Sequence, residues 1–127
     1  MTKASNLTLR ELEQRILQHI QQLYIELLEH QPQQISCQLV DRTLTVLIEE
    51  SITQPERILV DSGKQDLVKQ VRSNLNFAVE SRLRTNIEEI TGVPVIDIFA
   101  NSTLDTRRTS IVVILAAPPD LTVTSDQ

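Results

Sequence analysis

Apolar residues in the first quarter of the chain recur in steps of three and four, which is the spacing of one face of an α-helix. This pattern predicts a helix over about residues 7–29, and Thr8 with Glu11 forms a capping box at its start. Pro32 ends the helix, because the residue before a proline disfavours helical backbone. The predicted buried stripe consists of Leu9, Leu12, Ile16, Ile20, Leu23 and Leu27.

The next segment changes from a helical period to an alternation of apolar and polar residues, which indicates β-strands. Residues 35–39 and 44–48 carry this alternation. Between them, Asp41-Arg42 predicts the tight turn of a hairpin, since Asp tolerates turn conformations.

The second half of the chain repeats the order of helix, strand and strand. Thr53 and Glu56 form a second capping box, which begins a short helix over about residues 54–60. A long helix then continues to about Thr91, and Gly92 ends it where left-handed backbone costs little. Two strands over about residues 95–101 and 110–117 enclose a polar loop at residues 102–108.

This order of elements, α-β-β-α-β-β, predicts an α+β fold of two layers, in which two long helices pack on a four-stranded mixed sheet. The second strand, the long helix and the third strand form a βαβ unit. The unit is plain or split, depending on whether another strand inserts between its two strands, and the sequence leaves both open. We expect a single domain over residues 1–127, with an ordered core at about 7–117 and flexible ends at 1–6 and 120–127.

The last two strands are apolar at successive positions, so both faces of the sheet are expected to be apolar there. A sheet with one face in water alternates more cleanly. Either the helices cover both faces, or the second face is a protein contact surface. The residues predicted for that contact surface are Ile96, Ile98, Val112 and Ile114. The second explanation implies a protein partner, and a homodimer is one form that it can take.

Charge and composition exclude several classes of function. The chain has 12 Lys and Arg against 17 Asp and Glu, a net charge of −5, and no strongly basic segment. It therefore lacks the electrostatic footprint of a nucleic-acid-binding protein and the polybasic anchor for an anionic membrane. The longest apolar run, residues 111–119, is too short for direct membrane insertion, which needs about 20 residues. A single cysteine, Cys37, fits a reducing, cytoplasmic location.

No constellation of catalytic, cofactor-binding or metal-binding residues is visible in the sequence. Its two glycines, 29 positions apart, cannot form a phosphate-binding loop, and no Cys/His cluster has metal-ligand spacing. The adjacent carboxylates Glu49-Glu50 and Glu88-Glu89 diverge from each other in a strand or a helix, so neither pair forms an acid–base dyad. We therefore expect a non-enzyme without a cofactor.

Arginines are the remaining candidates for chemistry. Arg107 and Arg108, in the loop between the last two strands, are the candidate site for a small anion. The long helix supplies three further candidates, Arg72, Arg82 and Arg84. The alternative for the helix arginines is that they pair with the carboxylates of Glu80, Glu88 or Glu89.

The segment from Val46 to Leu115 resembles the MpsC-like family of small bacterial domains. The matching segments are LTVLIEE leading into TQPERILV, then SGKQDLVKQVRSNL, the junction IEEITGVPVIDIFANST, and the final strand SIVVIL. Where the family is expected often to have a Gly after the second strand, this chain has Glu49-Glu50-Ser51. The resemblance implies a soluble, non-catalytic domain. Some relatives are linked to a sodium-dependent, membrane-potential-generating system that is also connected with inorganic-carbon uptake.

Together these observations favour a non-catalytic interaction or accessory protein, associated through a partner with a membrane transport or envelope-linked process. The alternative is a regulatory domain that senses a small anion or metabolite through Arg107, Arg108 and the helix arginines.

Overall fold

The computed structural model describes residues 7–122, which form three helices and four strands. In chain order these are α1 (Leu9–Leu28), β1 (Gln34–Val40), β2 (Thr43–Glu49), α2 (Gln54–Asp61), α3 (Gln65–Thr91), β3 (Val95–Thr103) and β4 (Arg108–Leu115). The predicted order of elements is confirmed. The main difference is at the last hairpin, where the strands extend further into the loop and leave a turn of residues 104–107 only.

Local capping signals place the helix ends. The Thr8 side chain accepts a hydrogen bond from the backbone N–H of Glu11, and the Glu11 carboxylate accepts from the Thr8 N–H at 2.9 Å. The same reciprocal pair, Thr53 with Glu56, begins α2. Each box satisfies N–H groups that have no partner within the first turn of a helix. At the other end, Gly92 terminates α3 with a φ of 71°, a left-handed conformation that glycine adopts without strain.

The four strands form one sheet in the order β1-β2-β4-β3, and every neighbouring pair is antiparallel. The expectation of a mixed sheet was wrong, because β4 inserts between β2 and β3 and separates the only two strands that a βαβ crossover would pair in parallel. The βαβ unit is therefore of the split kind. β4 is an inner strand of the sheet, and its apolar residues Ile111, Val113 and Leu115 are accordingly at most 1% exposed.

Both long helices pack on the same face of this sheet. Their apolar stripes meet the inward side chains of the strands in a single core cluster. Its most buried members include Leu12, Ile16 and Ile20 of α1, Leu83 and Ile87 of α3, Val46 and Ile48 of β2, and Ile111 and Val113 of β4. No described residue forms a layer on the opposite face, where Phe99 is 56% and Val40 is 63% exposed. Of the two explanations for the apolar strands, the one in which helices cover both faces is therefore wrong for residues 7–122.

A bulge in β3 changes which of its residues point outward. The pairing of β3 with β4 shifts register between Val95 and Asp97, so the strand contains one extra residue there. Beyond the bulge, Ile98 faces the helices and packs against the core, whereas Phe99 is exposed on the opposite face. The assignment of Ile98 to the contact surface was wrong for this reason, because a single inserted residue inverts the alternation.

The two ends of the described segment lie together. The backbone N–H of Thr122 donates to the carbonyl of Leu7 at 2.7 Å, and the neighbouring Leu121 packs against the core. Of the ends expected to be flexible, 1–6 and 120–127, residues 121 and 122 make these contacts, whereas 1–6 and 123–127 lie outside the described residues. Within residues 7–122, no helix is long and apolar enough to cross a membrane.

Candidate functional site

The face of the sheet opposite the helices is uncovered in the described chain and carries exposed apolar side chains, and we call it the outer face. The strand registers place Thr45, Val112 and Phe99 side by side across β2, β4 and β3. Ile114 and Leu47 lie in the adjacent rows. Its apolar residues are Val40, Leu47, Phe99, Val112 and Ile114, and its polar residues include Ser36, Gln38, Thr43, Thr45, Asp97, Asn101 and Ser110.

Three of the four residues predicted for a contact surface reach this side of the sheet. Val112 and Ile114 are half-buried between their neighbours on the outer face, and Ile96 is 55% exposed at the bulge. Phe99 takes the place expected for Ile98. The alternation of apolar and polar residues identified β4 correctly but could not reveal the bulge that brings an aromatic ring to the surface.

The outer face carries little charge. Asp97 lies at one side of it, and Arg108 and Glu49 at its end neutralise each other through a 2.8 Å contact between Arg108 Nε and Glu49 Oε1. Depletion of charge around exposed apolar and aromatic side chains is typical of the centre of a protein interface. The outer face therefore combines low charge with exposed apolar side chains, as the centres of protein interfaces do.

The two arginines predicted to bind an anion are both next to carboxylates. Arg107 lies in the turn between β3 and β4, where its φ is 58°, and its guanidinium is 3.6 Å from the Glu50 carboxylate. Arg108 pairs with Glu49 as described above. All four side chains are at least 30% exposed, so these ion pairs are weak. The carboxylates nevertheless cancel the positive potential that an anion site would need.

The helix arginines do not join Arg107 and Arg108 in one pocket. Arg82 lies 3.3 Å from Glu26 of α1, and Arg84 donates to the backbone carbonyl of Val95 at 2.9 Å. Arg72 points into the core and pairs with Glu56. Of the expected pairings with Glu80, Glu88 or Glu89, Arg84 lies near enough to Glu80 for its charge to lower the pKa of that carboxyl, against the larger effect of burial. Arg82 and Arg72 instead form their ion pairs with Glu26 and Glu56 of other helices.

The Arg72–Glu56 ion pair is the feature that sequence reasoning missed. Both residues are at most 3% exposed, and the Arg72 guanidinium donates to the two carboxylate oxygens at 2.8 and 2.5 Å. It also donates to the carbonyl of Ser51 at 2.9 Å and contacts the Tyr24 hydroxyl and the Asn76 amide oxygen at 3.4 Å. Every donor group of the guanidinium therefore has an acceptor, which is the condition for burying such a charge.

The opposing influences on the Glu56 carboxyl can be separated. Burial by itself would raise its pKa, but the hydrogen bonds from Arg72 and from Thr53 outweigh burial and hold the pKa below its ordinary value. For Tyr24, in contrast, burial prevails over the nearby Arg72 charge and raises the pKa of the phenol. Glu56 is thus held as a carboxylate, while the Tyr24 hydroxyl stays neutral.

Hydroxyl groups extend this pair into a network that joins the sheet to α3. The Thr109 hydroxyl lies 2.7 Å from that of Ser51 and 2.6 Å from that of Ser102, and the Asn76 amide donates to Ser102 at 3.0 Å. The Ser51 N–H also donates to the carbonyl of Arg107 at 2.9 Å. The network consequently fixes the loop after β2, the β3–β4 hairpin and α3 relative to one another.

An open groove of about 630 Å³ borders this network between α3 and the end of β3. Lys69, Glu80 and Asp105 all line it, so the groove carries charges of both signs. Burial raises the pKa of the Glu80 carboxyl, against a hydrogen bond from the Ala100 backbone. Within residues 7–122, no group of three His, Cys, Asp or Glu side chains is placed to hold a metal ion.

Residues 8–117 match a family model described as "Na+-translocating membrane potential-generating system (MpsC)". The match extends over all the helices and strands described above. No curated protein and no solved structure gives a significant match.

Proposed function

The chain belongs to the MpsC family, as its sequence resemblance indicated, and from this membership we propose that it is a non-catalytic accessory protein of a Na+-translocating membrane potential-generating system. In this proposal it works by docking on another protein component of that system. The outer face of the sheet is the observation that carries the proposal. A cytoplasmic location belongs to the same proposal, and the single cysteine is compatible with it.

The composition of the outer face supports a docking role. Phe99 of β3 lies opposite Val112 of β4, and Ile114 follows two residues later on the same face of β4, so these side chains form one apolar patch rather than scattered contacts. Phe99, on the edge strand β3, is 56% exposed. A ring held on a rigid sheet loses little conformational freedom on binding, and aromatic residues at the centre of an interface often dominate its binding energy. We therefore expect Phe99 to be the main anchor for the partner.

The alternative function, sensing of a small anion or metabolite, has weaker support. Its arginines are separated in the fold, and the exposed ones lie beside carboxylates. A thermal-shift measurement with bicarbonate, phosphate and nucleotides tests it directly. A ligand present at 100 times its dissociation constant adds about 2.7 kcal/mol to stability, so no shift at millimolar ligand would argue strongly against sensing.

The docking proposal is tested in cells that encode the chain. We expect deletion of its gene to reduce the Na+-dependent membrane potential, measured with a potential-sensitive dye, and the wild-type gene to restore it. Phe99→Glu places a charge beside Val112 in the apolar patch of the outer face and should fail to restore the potential. Phe77→Glu is the matched control, because Phe77 is 69% exposed on α3, away from that face.

Two results would contradict the proposal, and they are distinguishable. An unchanged potential in the deletion strain would argue against a role in such a system. Full restoration by Phe99→Glu, with circular dichroism showing a folded protein, would leave the role intact and exclude the outer face as the docking surface.

A further inference from the structure

The two edges of the sheet differ in how they are protected from pairing with other strands. At the β3 edge, Pro94 precedes the strand, the bulge follows Val95, and Asp97 adds a charge. Proline, bulges and charges are the devices by which edge strands avoid additional partners. The opposite edge, β1, has none of them. Its seven residues, QISCQLV, carry no charge and no proline, and they pair with β2 in unbroken register.

The backbone of β1 has donors that point away from the sheet. The N–H of Leu39 donates to the Glu13 carboxylate of α1 at 2.8 Å, and not to β2. Because backbone groups in an antiparallel strand alternate between its two sides, the N–H and C=O groups of Ile35 and Cys37 point the same way. In the part of the chain that the structure describes, no strand lies beyond β1.

The Glu13 contact shows what this edge can bind. A carboxylate oxygen at 2.8 Å from the Leu39 nitrogen occupies the position that a carbonyl of another strand would take. A groove of about 540 Å³ runs beside the edge and is lined by Glu13, Cys37 and Gln38 among others. An acceptor is thus present at one end of the edge, while Ile35 and Cys37 lack one within residues 7–122.

The sequence of β1 is symmetric in residue type around Ser36. The segment Gln34-Ile35-Ser36-Cys37-Gln38 has Gln at both ends and an apolar residue on each side of the central Ser. In a two-fold symmetric contact, if residue i of one copy contacts residue j of the other, then residue j of the first copy also contacts residue i of the second. An antiparallel copy centred on Ser36 would place Gln34 opposite Gln38, whose amides can pair, and Ile35 opposite Cys37.

We propose that β1 pairs antiparallel with β1 of a second copy of this chain, about a two-fold axis through Ser36, so that the two sheets become continuous. Ile35 of each copy exchanges both of its outward backbone hydrogen bonds with Cys37 of the other. Leu39 lies opposite Gln33 of the second copy, beyond this ladder, and keeps its bond to Glu13. The two Glu13 carboxylates are then roughly 20 Å apart, six residues of strand, and do not repel each other strongly.

This dimer is expected to be reversible. A single strand ladder buries less than the about 800 Å² per partner of a stable complex, so the fraction of dimer should depend on protein concentration. The pairing is independent of the proposed docking role, because it uses the edge of the sheet and leaves Phe99 exposed on the outer face. It also brings the outer faces of two copies into one continuous surface.

Light scattering over a concentration series of the full chain tests the pairing. The mass should rise with concentration from 14.4 kDa towards twice that value. Ser36→Lys should raise the dimer dissociation constant about fivefold, because the introduced charges face each other at the axis. Thr45→Lys adds the same charge to the same face on the neighbouring strand and should leave the constant unchanged. Mixing Ser36→Lys with Ser36→Glu should restore the dimer.

A cross-linking experiment gives an independent readout. In a Cys37→Ser background, Ser36→Cys should form a disulfide-linked dimer on mild oxidation, because residues directly opposite in a non-hydrogen-bonded pair are close enough to bridge. Thr45→Cys should not. A mass of 14.4 kDa at every concentration would overturn the proposal. Cross-linking of Thr45→Cys as fast as Ser36→Cys would overturn it too, because contact would then be face to face.

Discussion

Replacement of Arg72 by methionine tests how much of the fold depends on its buried ion pair. Arg72 is 2% exposed, and it supplies the hydrogen bonds to both carboxylate oxygens of Glu56 and to the carbonyl of Ser51. Methionine fills much of the same volume but donates nothing. The Glu56 carboxylate would then keep only its bonds from Thr53, at 2.8 and 3.0 Å, in a site closed to water.

The expected loss is large. Removing one partner of a buried ion pair costs about 3–5 kcal/mol, because the other charge remains buried without compensation. Domains of this size have a free energy of unfolding of about 5–15 kcal/mol, so the variant should lose about a fifth of it or more. At about 3–5 °C per kcal/mol, the melting temperature should fall by roughly 10–20 °C.

The loss should also depend on pH. In the wild type the pKa of Glu56 is lowered on folding, so this carboxyl contributes stability above its unfolded pKa, and that stability is lost as pH falls through its folded pKa. Without Arg72, burial should prevail and raise the pKa of Glu56. Protonation then removes the unpaired charge, so the cost of the substitution should shrink as pH falls towards about 4.3, the ordinary value for glutamate.

Urea unfolding followed by circular dichroism at pH 7 and pH 4.5 measures both effects. Arg82→Met is the matched control, since the Arg82–Glu26 pair is exposed and should contribute at most about 1 kcal/mol. A loss below about 1 kcal/mol for Arg72→Met at pH 7 would refute the assigned importance of the pair. An equal loss at both pH values would refute the role of the Glu56 charge.

Three further outcomes are expected. Thr53→Ala should lower the free energy of unfolding by about 0.5–2 kcal/mol in urea titrations, because it removes the side-chain cap of α2. The Cys37 thiol should react with a disulfide reagent at pH 8 far more slowly in the folded than in the urea-unfolded protein, because burial raises its pKa to about 12. Since the unfolded thiol ionises near pH 8.5 while the folded thiol keeps its proton, the free energy of unfolding should fall as pH rises past about 8.5. Glu50 has a φ of 53°, a left-handed conformation that glycine adopts at less cost than alanine, so Glu50→Gly should be about 1 kcal/mol more stable than Glu50→Ala. Equal melting temperatures of the two variants would contradict this explanation.

The hydrophobic period located α3 but not its buried face. Apolar character alone would place Val71 and Leu75 of this helix in the core, yet Val71 is 36% exposed while Arg72 and Asn76 are buried. Positions 68, 72, 76, 79 and 83 continue one stripe in steps of three and four. That spacing was visible, but a polar residue on such a stripe is indistinguishable from a surface residue until its partner is known. Here the partner, Glu56, lies on another helix.

Strand order and the fate of the hairpin arginines depended on contacts that are distant along the chain. The pairing of β2 with β4 brings Glu49 opposite Arg108, and no local pattern connects residues so far apart in sequence. The bulge at Asp97 was equally hidden, because the run VIDIF alternates plausibly in either phase. Turns and caps, in contrast, are local, and Thr8, Thr53 and Gly92 were placed correctly from their neighbours alone.

The hydrogen bond between Thr122 and Leu7 has a consequence for how the domain can be joined to others. Since these residues are in contact, a segment joined before Leu7 and a segment joined after Thr122 would start from the same place on the domain. The described fold can therefore be inserted into a loop of another protein without forcing that loop apart. By the same geometry, a short linker across this point and a cut at the 104–107 turn would yield a circular permutant with the same core.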